Sequence, residues 1–520
     1  MAKGLIAKFA TVGGATMASR VLGLLREALM ASALAAGPVA DVFYTCFRFP
    51  NLFRRLFAEG AFNIAFVPLF AKELEGGGEE AARKFGQEVF AVLASWLLVF
   101  TALALVFMPY LVATVVAPGF ADTPEKFDLA VTMTMIMFPY LLFMSLVAMF
   151  SGILNSLRKY FIAAIVPVLL NVILVAILLY ALWADMEPRQ IGLTLAWGVF
   201  ASGVAQFGLL WWSVRRENMR FALAFPRLTA PVKRLLVLMG PSLLTGGVLQ
   251  INILIGTVIA TMQDGANALL NYADRLNQLP LGIIGIAVGV VLLPELSRAL
   301  QSGDPDEAEK LQNRSLEFAL ALTLPAAVGL MLLPHDIIRL VYERGAFTAE
   351  TTELTANALI AFASGLPAYV LIKVFQPAFF AREDMKTPFY LSCVMVVVNV
   401  VLSLSLFPTL GHVAIALSTS ISAWVNVLGL ATVLWMRNSF RPQASTLKAV
   451  LFIAIGSALM AALIMLVQPL LASWLLEGVF LTRLAALGAL IASAMVVYFG
   501  FIIATGVIEK SQIKRLVKRG

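Results

Sequence analysis

Ten charged residues fall in stretches that otherwise read as hydrocarbon: Arg20, Arg26, Arg48, Arg54, Arg55 and Arg275, with Glu27, Asp41, Glu59 and Asp274. A charge at the centre of a bilayer costs about 2.5 to 3.5 kcal/mol, so this many cannot face lipid and must face protein or water. Some can pair off as buried salt bridges. Six cations against four acids still leave two positive charges over, and a buried surplus is costly unless an anion visits. Every one of the six is arginine, which stays ionised and grips phosphate oxygens in a two-pronged geometry. The chemistry expected is non-covalent binding of an anionic, phosphate-bearing substrate, with purely structural pairing as the alternative. Asp41, Arg48, Arg55 and Glu59 are spaced 7, 7 and 4 residues apart and would share one stripe of a continuous helix. Pro50 should kink that helix beside Asn51 and turn Arg54 toward the same space. Lys373 is a further cation inside an apolar run; snorkelling or pairing across the bundle accounts for it, and so would a place in the same cavity.

Covalent chemistry has no basis in the sequence. There is no G-x-x-x-x-G-K-[ST] phosphate loop, no H-E-x-x-H and no G-x-S-x-G, which removes ATP hydrolysis and those hydrolytic classes. Acidic metal-binding loops of the kind membrane glycosyltransferases use are missing as well. Cys46 and Cys393 lie in apolar runs and read as small core residues. His335 and His412 stand at segment ends with no partner at metal-ligand spacing. Catalytic residues, a metal site and a cofactor are therefore not expected, and transport is the function left.

The elements that hold these residues are membrane helices. The chain has 520 residues, 61% hydrophobic and 13% charged, with mean hydropathy +0.91, whereas soluble domains are about a quarter charged. Apolar runs of about 20 residues, long enough to cross a bilayer as helices, recur throughout. Breaking the chain at polar and Pro/Gly clusters gives fourteen segments: 5–34, 40–72, 86–114, 127–154, 160–183, 190–213, 231–262, 266–298, 315–334, 353–380, 387–408, 411–437, 446–469 and 478–508. With the N-terminus in the cytoplasm, most Lys and Arg fall on the cytoplasmic side, as in "VRRENMRFALAFPRLTAPVKR" and "EKSQIKRLVKRG". The opposite side holds Lys126, Arg189, Arg339, Arg344 and Arg483. This asymmetry places both termini inside and explains the basic pI as topology, so nucleic acid is not expected as a partner. No cleavable signal peptide is expected, because Ser19, Arg20, Arg26 and Glu27 interrupt the first apolar run.

An internal repeat sets the architecture. "FPYLLF" at 138–143 matches "LPAYVL" at 366–371, and "PVLLNVIL" at 167–174 matches "MVVVNVVL" at 395–402, both offset by 228 residues. Arg48 aligns with Arg275 and Pro68 with Pro294 at offsets of 227 and 226, and "PGFADT" aligns with "RGAFTA" at a similar shift. The fold class expected is an all-α polytopic membrane protein: two parallel six-helix repeats around a central cavity, then two C-terminal helices. Residues 1–213 form the first bundle, 214–230 a cytoplasmic linker, 231–437 the second bundle, and 438–520 the last two helices with a basic tail. Halves related in this way commonly rock to give alternating access.

"ASRVLGLLREALMASALAAGPVADVFYTCFRFPNLFRRLFAEGAFNIAFVPLFAKE", with "YADRLNQLPLGIIGIAVGVVLLPELS" and "APGF", resembles the MurJ (MviN) family of lipid II flippases in the MOP transporter superfamily. The resemblance runs over essentially the whole chain. It implies translocation of lipid II, the undecaprenyl-diphosphate-linked peptidoglycan precursor, from the inner to the outer leaflet of the bacterial cytoplasmic membrane through a cationic cavity. Motif by motif, the substrate-binding residues it implies are Ser19, Arg20 and Arg26 in the first segment, Asp41, Asn51, Arg54 and Glu59 in the second, and Arg275 in the eighth; Asp274, beside it and a plausible partner of the arginines, completes the candidate set. The last two segments resemble the pair that forms the family's lipid-tail groove. Some family members bind sodium through acidic residues of the seventh and eleventh segments; Gln250, Asn252 and Asn399 stand here instead. Partners implied are lipid II and membrane lipids, with cell-wall assembly proteins as a further class. Two other readings stay open: export of another polyprenyl-diphosphate-linked glycan, and a non-transporting cell-wall scaffold docking through the linker.

Overall fold

The computed structural model describes residues 2–55, 62–222, 224–302 and 305–507. Among these the chain is built of helices joined by turns. They pack as two compact units, Met1–Ala268 with Gly345–Phe347, and Leu269–Arg344 with Thr348–Gly520.

The first unit holds α1 (Ala2–Leu34), α2 (Pro38–Phe53), α3 (Phe62–Val106), α4 (Met108–Leu111), α5 (Pro124–Met137), α6 (Tyr140–Ser156), α7 (Tyr160–Trp183), α8 (Pro188–Arg216) and α9 (Ala230–Ala260). Proline sets several starts: Pro38, Pro124 and Pro188 each occupy a first-turn position, where a missing N–H costs nothing. Gly78 adopts φ +74°, a left-handed conformation open to glycine, and divides α3 into two helices. α2 ends at Phe53, three residues after Pro50, and Arg54 and Arg55 continue as a π turn. The π turn changes the α-helical register, so the stripe drawn from Asp41 loses its phase at Arg54. Glu59 lies outside the described residues.

α10 (Ala266–Gln301) passes from the first unit into the second at Leu269. The second unit continues with α11 (Pro305–Leu332), α12 (Pro334–Val341), α13 (Ala349–Ser364), α14 (Leu366–Phe380), α15 (Lys386–Leu410), α16 (His412–Met436), α17 (Ala444–Val467), α18 (Ala472–Leu476) and α19 (Phe480–Ala504). Ten spans among the described residues are long and apolar enough to cross a bilayer, and they coincide with the third to sixth and ninth to fourteenth segments. The first, second, seventh and eighth segments are also helical in their described parts, in α1, α2 with the start of α3, α9 and α10.

The repeat is visible in the backbone. Its first matched motif falls at a helix break in both units, at Pro139 between α5 and α6, and at Gly365 between α13 and α14. The two broken spans, Pro124–Ser156 and Ala349–Phe380, are each 72% buried, against 17 to 56% for the other eight. Each unit thus has its broken span as its most enclosed one. The remaining spans leave apolar surface outward, as lipid contact requires, and Tyr110, Trp183, Trp212, Trp435 and Trp474 stand exposed near span ends, where amphipathic rings favour the membrane–water boundary. In the second unit α17 and α19 pack together through Met460, Ile464, Leu487, Leu490 and Tyr498. They are tied to α11 by Tyr498 donating to the Ala321 carbonyl at 2.6 Å and Thr446 donating to Glu317 at 2.6 Å.

Candidate functional site

The charges of the first unit form two buried networks. In the first, Arg26 is 9% exposed and Glu27 fully buried, and the two pair directly through an Arg26 terminal nitrogen. The other terminal nitrogen donates to Asn171 Oδ1 at 3.0 Å. The Tyr44 hydroxyl donates to the second Glu27 oxygen at 2.5 Å. Asn171 Nδ2 in turn donates to the Ser19 carbonyl at 3.1 Å and lies 3.3 Å from the Ser19 hydroxyl. Helices α1, α2 and α7 are joined by groups that would each be costly to bury alone. The pair is neutral overall, so Arg26 adds no net charge to its surroundings.

The second network lies where α2 and α5 begin. Asp41, fully buried, accepts from Lys126 Nζ at 2.7 Å, and Lys126 also meets Asp264 at 2.8 Å. The ammonium sits 4.1 Å from the centre of the Phe120 ring, an attractive placement over its π face. The other Asp41 oxygen accepts the backbone N–H of Asn267 at 2.9 Å, in the first turn of α10, where the helix dipole also favours a carboxylate. Asn267 Oδ1 lies 3.4 Å from an Arg48 nitrogen that also donates to Thr257 at 2.9 Å. The turn itself is close-packed. A Cβ on Gly265, whose φ is +73°, would stand 2.5 Å from the Ala36 carbonyl oxygen, and one on Gly119 would stand 2.5 Å from that of Thr261.

Arg54 Nε donates to Asn51 Oδ1 at 2.6 Å, and both residues are half-buried, while Arg55 is exposed. Arg20 is half-buried; among the described residues nothing bonds its guanidinium. In the second unit Asp274 and Arg275 are half-buried on α10, and Gln278 donates to Asp274. Lys373 is exposed on α14, on the face that also carries half-buried Tyr369 and Gln376; Tyr369 donates to the Thr419 carbonyl at 3.1 Å.

Ser19 and Arg26 are thus brought together through Asn171, Asn51 and Arg54 touch directly, and Asp41 belongs to a separate network. Sequence reasoning missed Lys126, Asp264, Tyr44 and Asn171 as members of these networks. By sequence Lys126 reads as one of the outer basic residues, one position before an expected segment. Asn171 did carry a signal: it is the one amide in an otherwise apolar helix. Among the described residues no group of three His, Cys, Asp or Glu could hold a metal ion.

Comparisons with known proteins agree with this architecture. The chain is 50% identical over 519 residues to the probable lipid II flippase MurJ of Rhizobium tropici, covering 99% of this chain and 97% of that protein. It is 51% identical over 518 residues to the protein of the same name from Rhizobium meliloti (strain 1021), with 99% and 97% covered. A solved structure of lipid II flippase MurJ in an inward closed conformation superposes with TM-score 0.80 and 27% identity over 96% of this chain and 99% of that one. A multidrug resistance MATE family transporter of the MOP superfamily, 16% identical, shares the fold at TM-score 0.64 over 81% of this chain and 94% of its own. The family profile described as lipid II flippase MurJ matches residues 30–486, and on that match and the half-identical relatives, the chain belongs to the MurJ family.

Proposed function

We propose that this chain is a lipid II flippase of the bacterial cytoplasmic membrane, with both termini in the cytoplasm. It moves the undecaprenyl-diphosphate-linked precursor from the inner to the outer leaflet and catalyses no covalent step. The observation that carries the reading is the likeness, end to end and at 50% identity, to a protein named a probable lipid II flippase. The chemistry supports it. Arg20 is a half-buried guanidinium group on α1 and Arg54 one in the π turn after α2, both suited to two-pronged contact with a diphosphate. Arg275 is the cation proposed to serve in the second repeat, and Ser19, Asn51, Asp41, Glu59 and Asp274 are the other residues proposed for binding. Arg26 is the most enclosed of the cations and acts with Glu27 beside it.

In this reading 1–213 and 231–437 are the two rocking bundles, and 438–520 supplies the groove for the lipid tail. The linker 214–230 rests on the cytoplasmic lipid surface. Support for that comes from Phe225, 86% exposed, and from Arg216, whose guanidinium lies 3.6 Å from the Trp212 ring centre. Lipid II and membrane lipids are the partners, cell-wall assembly proteins dock outside the cavity, and no metal or cofactor is needed.

The test is reconstitution. Liposomes carrying the purified chain should move fluorescent lipid II between leaflets, and Arg20→Ala and Arg54→Ala should slow the movement at least tenfold with unchanged incorporation. Equal rates in protein-free liposomes would overturn the proposal.

A further inference from the structure

We propose that Asn171 is a positioning residue of the substrate site, holding Arg26 and the Ser19 turn of α1 in the arrangement that receives a diphosphate. The inference rests on the flippase reading and deepens it. Asn171 is the twelfth of the 24 residues of α7, and the helix carries no other amide and no charge. A primary amide at the middle of a membrane helix is costly unless bonded, and this one is 7% exposed with both ends engaged. Its oxygen fixes one arm of the Arg26 guanidinium. Its nitrogen fixes the Ser19 carbonyl, seven residues back and on the same face of α1. Two points two turns apart set both the rotation of α1 and the direction of Arg26.

The choice of amide matters. A carboxylate at 171 would bond Arg26 but could not donate to the Ser19 carbonyl, and it would bring a second negative charge beside Glu27 and make the cluster repel an anion. A neutral amide orients the guanidinium without adding a negative charge to the neutral Arg26–Glu27 pair. The repeat adds an independent observation. Asn399 stands at the equivalent place in α15, where it lies 3.5 Å from the Thr419 hydroxyl, and the position aligned with Arg26 at an offset of 227 is Ile253. The amide belongs to both repeats, while the arginine it orients belongs to the first.

The experiment measures binding of undecaprenyl diphosphate to the purified full-length chain, with thermal stability recorded for each variant. Asn171→Asp should lose the Ser19 hydrogen bond and some thermal stability with it, and, measured well below its melting temperature, weaken binding about tenfold or more because of the second negative charge beside Glu27. Asn171→Leu should weaken binding similarly, and in an Arg26→Gln background it should add no further loss, since the two residues act as one unit. Asn171→Asp binding as tightly as wild type would overturn the inference, as would an equal loss from Asn171→Leu in both backgrounds; either would leave the flippase reading standing. A wild-type chain that fails to bind the probe would overturn both.

Discussion

Arg20 and Arg26 lie six residues apart on α1 and are set up differently. Arg26 is buried against Glu27 and Asn171, so Arg26→Ala removes the cation from a fully buried acid and should destabilise the first unit by roughly 3 kcal/mol or more. Arg20 is half-buried and unbonded among the described residues; Arg20→Ala should change stability by less than about 0.5 kcal/mol. Thermal unfolding in detergent checks both, and transport should fail in each, for different reasons. The charge imbalance was legible in the sequence, as six cations against four acids. What the sequence could not supply is which charges meet. Asp41 and Lys126 are 85 residues apart, and a pairing at that separation is decided by how α2 and α5 pack.

Elements show where one-dimensional reading succeeds and where it stops. Proline and glycine marked helix starts and the division at Gly78, because their backbone limits act locally; Pro50, expected to kink a longer helix, lies inside α2, three residues before its end. The network around Lys126 depends on three chain segments and was not legible. Lys126→Met would leave Asp41 buried without its cation and should cost roughly 3 to 5 kcal/mol. Asp264→Asn should cost about 1 kcal/mol or less, since the Asp264 side chain is 89% exposed. Melting temperatures of the two variants, compared under the same detergent, would separate the partners. A second element-scale expectation concerns the loop between α14 and α15. Asp384 accepts from the Thr387 side chain and backbone and from Arg437, and these hold its carboxyl well below the usual range. A depressed carboxyl stabilises the fold at pH above its unfolded value near 3.8 and loses that contribution as pH falls through the lower folded value. Protection of the Lys386 and Thr387 amides from hydrogen exchange should therefore persist at pH 4 in the wild type and be reduced in Asp384→Asn.

At the scale of the whole chain, the sequence supplied the membrane class and the repeat. Helix-length apolar runs and a nearly constant offset are properties of composition and order, which survive any detail of packing. The helix break at Pro139 and its counterpart at Gly365 show that the offset reflects shared geometry. The assignment of individual arginines to direct substrate contact was less legible, because burial separates Arg26 from Arg20 and burial is a product of the fold. A cavity with surplus positive charge is drawn toward a negative interior by about 2.3 kcal/mol per charge for each 100 mV. Collapsing the membrane potential should therefore slow flipping in cells at unchanged ATP, and an unchanged rate would remove potential as the reset.

The most direct measurement of the central claim uses cells depleted of this protein and lacking any other lipid II flippase. Lipid II in such cells should be protected from an externally added lipid II-cleaving enzyme. Wild-type protein should restore cleavage, and Arg20→Ala, present at normal level, should not. Lipid II that stays accessible after depletion would contradict the flippase account.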